Sequence, residues 1–121
     1  MSIPVATKFL VPAIKYSSAT KLLETGDYEQ AETIFRELDS YKDSKEMVNE
    51  AIYLHGKELH DNGEFESAIK LFQSLEKYKD SPTMVKRSIY AQANNLLNQK
   101  NIRMHFRIIS NARSLKIPQK F

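Results

Sequence analysis

The chain of 121 residues has no cysteine, no tryptophan, three glycines and four prolines. Without cysteine there is neither a disulfide framework nor a thiolate metal site. Three scattered glycines cannot form the glycine-rich loop that cradles phosphates. His55, His60 and His105 show no i, i+4 pairing of the kind that binds zinc from a helix. His60, Asp61 and Glu64 are close in sequence but straddle an expected turn, and a solvated cluster at a helix end is the plainer account of them. No nucleophile stands beside a base in any recognisable pattern, so no enzymatic activity and no cofactor are expected. No apolar run approaches the roughly 20 residues that cross a bilayer. The opening MSIPVATKFLVPAIKY lacks the sustained apolar core and small-residue cleavage site of a secretory signal.

What is present is ordinary for a globular protein: 41% apolar and 27% charged residues. The formal charge of +3 conceals a strong polarity. Residues 1–80 hold 10 bases and 15 acids, a net −5, whereas residues 81–121 hold eight bases and no acid. Each part of the chain therefore faces its surroundings with a different sign.

The second feature is an internal repeat. ELDSYKDSKEMV at Glu37 returns as SLEKYKDSPTMV at Ser74, and overlaying residue n on n + 37 gives 14 identities in 37 positions. Among them are Tyr16/Tyr53, Gly26/Gly63, Ala31/Ala68, Phe35/Phe72 and the whole of Tyr41–Ser44 on Tyr78–Ser81. A third, eroded copy begins at Tyr90, with Leu96 in the register of Leu22 and Leu59, and Ile109 in that of Phe35 and Phe72. A fixed period of this length signals stacked supersecondary units. One repeat domain over 1–121 is expected, with units at about 16–52, 53–89 and 90–121 and an extension at 1–11.

Each unit reads as a pair of helices. Tyr28, Ala31, Ile34, Phe35 and Leu38 follow the spacing of one helical face. Gly26 and Gly63 sit where a helix ends in a left-handed residue. Asp27 with Gln30 suits a capping box, and Asn101 would cap in the third copy. Ser44 and Ser81 are expected N-caps, with Pro82 at the first helical position. The YKDS motif then punctuates: it closes one hairpin and opens the next, with Tyr41 and Tyr78 folded back onto apolar side chains. The expected helices are 12–25, 28–39, 44–61, 65–77, 82–99 and 102–115. The fold class is all-α, a right-handed solenoid of about three hairpins.

GDYEQAETIFREL and GEFESAIKLFQSL resemble the second helix of a tetratricopeptide repeat, with its G-x-[YF]-x-x-A-x-x-x-F spacing. Ala19, Gly56 and Ala93 match the small residue of that family's first helix. The likeness covers roughly 12–115 and is weak in copy three, where Lys100 replaces the glycine and His105 the alanine. The period is 37 rather than the family's 34, and YKDS stands where a closing proline is usual. The chain is more similar to a bacterial subgroup carrying PAIKY followed by YKDS repeats, which often trails a zinc ribbon or membrane anchor. It is expected to be cytoplasmic, either a stand-alone relative or a fragment of a longer, membrane-anchored chain.

The resemblance implies a scaffold that holds a peptide or protein in a concave groove lined by the first helices. Matching positions are Tyr16, Thr20, Tyr53, Lys57, Arg87, Tyr90 and Asn94. Three tyrosines 37 residues apart either form a recognition ladder or pack between hairpins; tyrosine suits both. Capture of a C-terminal carboxylate is not expected, because the usual Lys, Asn and Arg set is only partly matched. The basic patch of Lys100, Arg103, Arg107, Arg113 and Lys116 is most simply a solvated or intramolecular face, and it leaves other partners open: an acidic protein, a nucleic acid through its phosphates, an anionic membrane surface, or the acidic part of a second copy. Phe106 and Phe121 are too few for a base-stacking platform. Finally, Phe9, Leu10, Val11 and Ile14 at one end, and Ile102, Phe106, Ile108 and Ile109 at the other, leave apolar surface that favours self-association through a terminal helix.

Overall fold

In the computed structural model the backbone is described for residues 5–114 and the side chains for residues 10–112. Among the described residues five helices follow one another: α1 (Val5–Thr25), α2 (Tyr28–Leu38), α3 (Ser44–Asp61), α4 (Phe65–Ser74) and α5 (Ser81–Ser114). No strand occurs among the described residues. The main packing is sequential, α1 on α2, α2 on α3, α3 on α4 and α4 on α5.

The short helices α2 and α4 bury one face each. Ala31 and Phe35 on α2, and Ala68 and Phe72 on α4, are fully enclosed. Burial of each phenylalanine ring contributes about 2–3 kcal/mol. The alanines let the helix backbone approach its neighbour. Gly56 does the same from α3: a Cβ there would lie 2.9 Å from two carbons of the Phe72 ring.

The turns within the two hairpins share one construction. Gly26 (φ 91°) and Gly63 (φ 82°) take the left-handed conformation that ends α1 and α3. The next N–H reaches back to a helix carbonyl in each case, Asp27 to Leu22 and Glu64 to Leu59, both at 2.8 Å. This is the Schellman closure. At the YKDS junctions the Ser44 and Ser81 amides donate to the Tyr41 and Tyr78 carbonyls, at 3.1 and 3.0 Å. Lys42 and Lys79 inside these turns have φ near 50°, as have Asp39 and Glu76 just before them.

Several expectations from sequence are corrected. The third hairpin does not form: 82–99 and 102–115 are joined in the single helix α5, with Asn101 inside it rather than capping. One difference from the first two copies lies at position 100. Gly26 and Gly63 turn left-handed, but Lys100 carries a Cβ, which costs roughly 1–2 kcal/mol in that conformation. Gln99, Lys100 and Asn101 continue the helix instead. At the other end, the expected extension at 1–11 is helical from Val5, so Pro12 lies inside α1. Its ring removes the bond its N–H would have given to the Lys8 carbonyl and crowds that carbonyl, yet the helix runs through. The caps also differ. Asp27 makes no side-chain cap bond. Ser44 is the first helical residue, and its hydroxyl donates backwards to the Tyr41 carbonyl. Ser81, equally buried, has no hydrogen-bond partner for its hydroxyl.

Candidate functional site

The tyrosines of the first helices are held by the YKDS turns. The Tyr16 hydroxyl donates to Asp43 at 2.6 Å, and the Phe35 ring meets Tyr16 edge-on at 5.7 Å. Tyr41 adds a second edge contact, and the Lys42 ammonium sits 5.0 Å above the Tyr16 ring. One unit later the Tyr53 hydroxyl donates to Asp80 at 2.5 Å, and Phe72 and Tyr78 approach edge-on at 5.9 and 6.1 Å. Lys79 then caps the Tyr53 ring at 5.1 Å. Each tyrosine is thus gripped by an aromatic from the second helix of its own hairpin and by the Tyr, Lys and Asp of the turn that follows.

The electrostatics agree with this geometry. The hydrogen bond to Asp80, reinforced by burial, pushes the Tyr53 phenol up to about 12. The bond to Asp43 raises Tyr16 in the same direction. Tyr78 is raised chiefly by burial and then by its bond to Glu50 at 2.6 Å. For Glu50, burial pulls upward, but the hydrogen bonds from Lys79 (2.6 Å) and Tyr78 hold the carboxyl below its usual range.

The tyrosine ladder therefore divides. Tyr53 is 8% exposed and belongs to the core, and Tyr16 is half-buried. Tyr90, in the same register, is 71% exposed. Of the other groove residues, Thr20 returns its hydroxyl to the Tyr16 carbonyl of its own helix, and Lys57 lies over Tyr53 at 5.6 Å. Arg87 and Asn94 are exposed beside Tyr90 on α5. A shallow depression collects Tyr16, Thr20, Lys21, Glu24 and Lys42 at the α1 end.

Beyond Gln92, α5 leaves the body: every described residue from Ala93 to Ala112 is exposed. At 1.5 Å per residue this is about 30 Å of helix. Its apolar residues form two stripes. Tyr90, Ala93, Leu97, Met104 and Ile108 share one side; Ile102, Phe106 and Ile109 lie roughly opposite, in line with Met84 and Ser88, which are buried nearer the N-terminus of α5. Lys100, Arg103 and Arg107 are exposed between the stripes. Arg113 lies on α5 by its backbone, and Lys116 falls outside the described residues.

No family model, curated protein or solved structure matches the chain.

The helices also bring together groups that sequence spacing did not pair. His60 Nδ1 is 2.8 Å from Ser88 Oγ, joining α3 to α5, but Ser88 is fully enclosed and closed to any substrate. His55 stacks on Tyr28 and lies 3.9 Å from Glu29. Among the described residues no group of three metal-ligating side chains forms, and no helix is long and apolar enough to cross a membrane. Asp43 and Asp80 were missed as tyrosine partners because 27 residues separate them from Tyr16 and Tyr53. The available signal was that both pairs recur at the same offset.

Proposed function

We propose that the chain is a non-enzymatic, tetratricopeptide-like scaffold that holds a peptide or protein partner. Its two hairpins and the first part of α5 are stacked as a short right-handed solenoid with a 37-residue period. The observation that carries this function is the unfilled face of α5. Tyr90, Leu96 and Leu97 stand 71%, 59% and 55% exposed, where the equivalent Tyr53, Leu59 and Leu23 are drawn into or against the core. Apolar surface of that kind marks a contact site. The partner meets Arg87, Tyr90 and Asn94 rather than Tyr53, whose ring and hydroxyl are already engaged.

A nucleic-acid reading has one observation in its favour, the absence of any acid on α5 beside Lys100, Arg103 and Arg107. Self-association through the terminal helices draws on Leu10, Val11 and Ile14 of α1, all exposed. Two α5 helices side by side would, however, oppose like charges.

Affinity capture with and without nuclease separates the main readings. Protein recovered with the wild-type chain, insensitive to nuclease and lost with Tyr90→Ala/Leu97→Glu, supports the scaffold. Recovery that needs nucleic acid and fails with Arg103→Glu/Arg107→Glu would replace it with the nucleic-acid reading.

A further inference from the structure

Resting on that scaffold reading, we propose that the open face of α5 is a helix socket. Its occupant is an amphipathic, acidic segment of another protein carrying a large aromatic residue and, eight residues later, a carboxylate that accepts a hydrogen bond from Tyr90.

The chain contains two filled versions of this socket. In the first, Ala19 is enclosed, Phe35 lies edge-on to Tyr16, and Asp43 accepts the Tyr16 hydroxyl. In the second, Phe72 lies over Gly56, edge-on to Tyr53, and Asp80 accepts the Tyr53 hydroxyl. Aromatic and carboxylate are eight residues apart both times, Phe35 to Asp43 and Phe72 to Asp80. Ile89, Tyr90, Ala93 and Leu96 reproduce the receiving side 37 residues later, and all are exposed.

These 121 residues do not complete the third site. The positions equivalent to Tyr41, Lys42 and Asp43 are Leu115, Lys116 and Ile117, and no acid follows Asp80. A second copy carries this spacing at Tyr16/Glu24, Phe35/Asp43, Tyr53/Asp61 and Phe72/Asp80, and in each the aromatic is already packed inside its own chain. The occupant is therefore not found within these 121 residues. Its charge follows from α5, whose 34 residues include six bases and no acid. An antiparallel helix seated like α4 would bring its N-terminal turn beside Lys100 and Arg103, where acidic residues are favoured by those charges and by the helix dipole.

The test uses the full chain and a labelled synthetic peptide spanning its own residues 64–81, which has the aromatic and carboxylate at the right spacing. Fluorescence anisotropy should show saturable binding. Ala93→Glu, at an exposed position that leaves folding intact, should abolish it. Tyr90→Phe in the protein, or Asp80→Asn in the peptide, should each weaken binding about tenfold, the loss expected for a hydrogen bond to a charged acceptor. Combining the two should cost no more than either alone. No saturable binding, binding indifferent to Ala93→Glu, or losses that simply multiply would each overturn the socket. So would a chain that sediments alone as a dimer and becomes a monomer with Ala93→Glu, since the occupant would then be a second copy. If the peptide fails while a captured partner still depends on Tyr90 and Leu97, the socket chemistry falls and the scaffold function stands.

Discussion

Gly56 offers a substitution for which helix propensity and packing predict opposite signs. Alanine is favoured over glycine inside a helix by about 1 kcal/mol, so α3 alone should gain from Gly56→Ala. Packing opposes the gain. The new Cβ would stand 2.9 Å from Cε1 and Cζ of Phe72 and 3.3 Å from Cδ1. That ring is fully enclosed and meets Tyr53 edge-on at 5.9 Å, so it cannot retreat without giving up other contacts. Overpacking of a tight core costs roughly 1–3 kcal/mol. The net expectation is a loss of about 1 kcal/mol, read as a urea midpoint lower by roughly half a molar to one molar in far-ultraviolet circular dichroism. In a Phe72→Leu background the obstructing ring is gone, and the same substitution should become stabilising. A higher midpoint for Gly56→Ala with Phe72 present would show that the close approach of α3 to α4 is slack.

Four further outcomes are expected. The neutral phenol of Tyr53 is favoured in the fold, with its pKa raised to about 12 by the Asp80 bond and burial, so its contribution is intact below pH 10 and lost as pH climbs from there toward 12; Tyr53→Phe should flatten that alkaline loss in unfolding midpoints. Glu50 behaves oppositely: its carboxyl is held below the model value of 4.5, so its contribution is present above that pH and lost on acidification, and Glu50→Gln should remove this part of the acid sensitivity. Ser44→Ala should cost about 1 kcal/mol by removing the bond to the Tyr41 carbonyl, whereas Ser81→Ala, whose hydroxyl has no partner, should be near neutral in the same denaturation assay. Lys100→Gly should let α5 fold back on itself; spin labels at 93 and 109, about 24 Å apart along a continuous helix, should close to roughly 10 Å, and an unchanged distance would mean that more than the missing glycine keeps α5 straight.

Much of the first two units was legible because their signals are local. Gly26 and Gly63 announce left-handed ends, and the apolar spacing of α2 and α4 leaves few alternatives. The third unit was misread because Ile102, Ile108 and Ile109 preserve the apolar register of α4 while the residue that makes the turn is missing. Side-chain register proved a weaker instruction than the backbone requirement at one position. The serines misled in another way. A hydroxyl before a helix suits both a cap and a buried bond, and only tertiary enclosure decides between them. The division of the tyrosines was illegible for a related reason. Tyr16, Tyr53 and Tyr90 have the same local role, and what separates them is whether a later turn supplies an acid.

The unbroken α5 also gives the molecule an electrical direction. Residues 27–80 hold 14 acids and seven bases, while Lys100, Arg103 and Arg107 are carried outward along a rod whose exposed part is about 30 Å long. That separation exceeds the screening length of about 8 Å at physiological salt, so an approaching charged surface senses the two ends independently rather than as a single small net charge. The torque turns the positive end toward anionic surfaces before contact, raising the share of productive encounters. Folding the same residues back against the acidic body, as a third hairpin would, would cancel most of that moment. The straightness of α5 thus decides which end of the molecule arrives first.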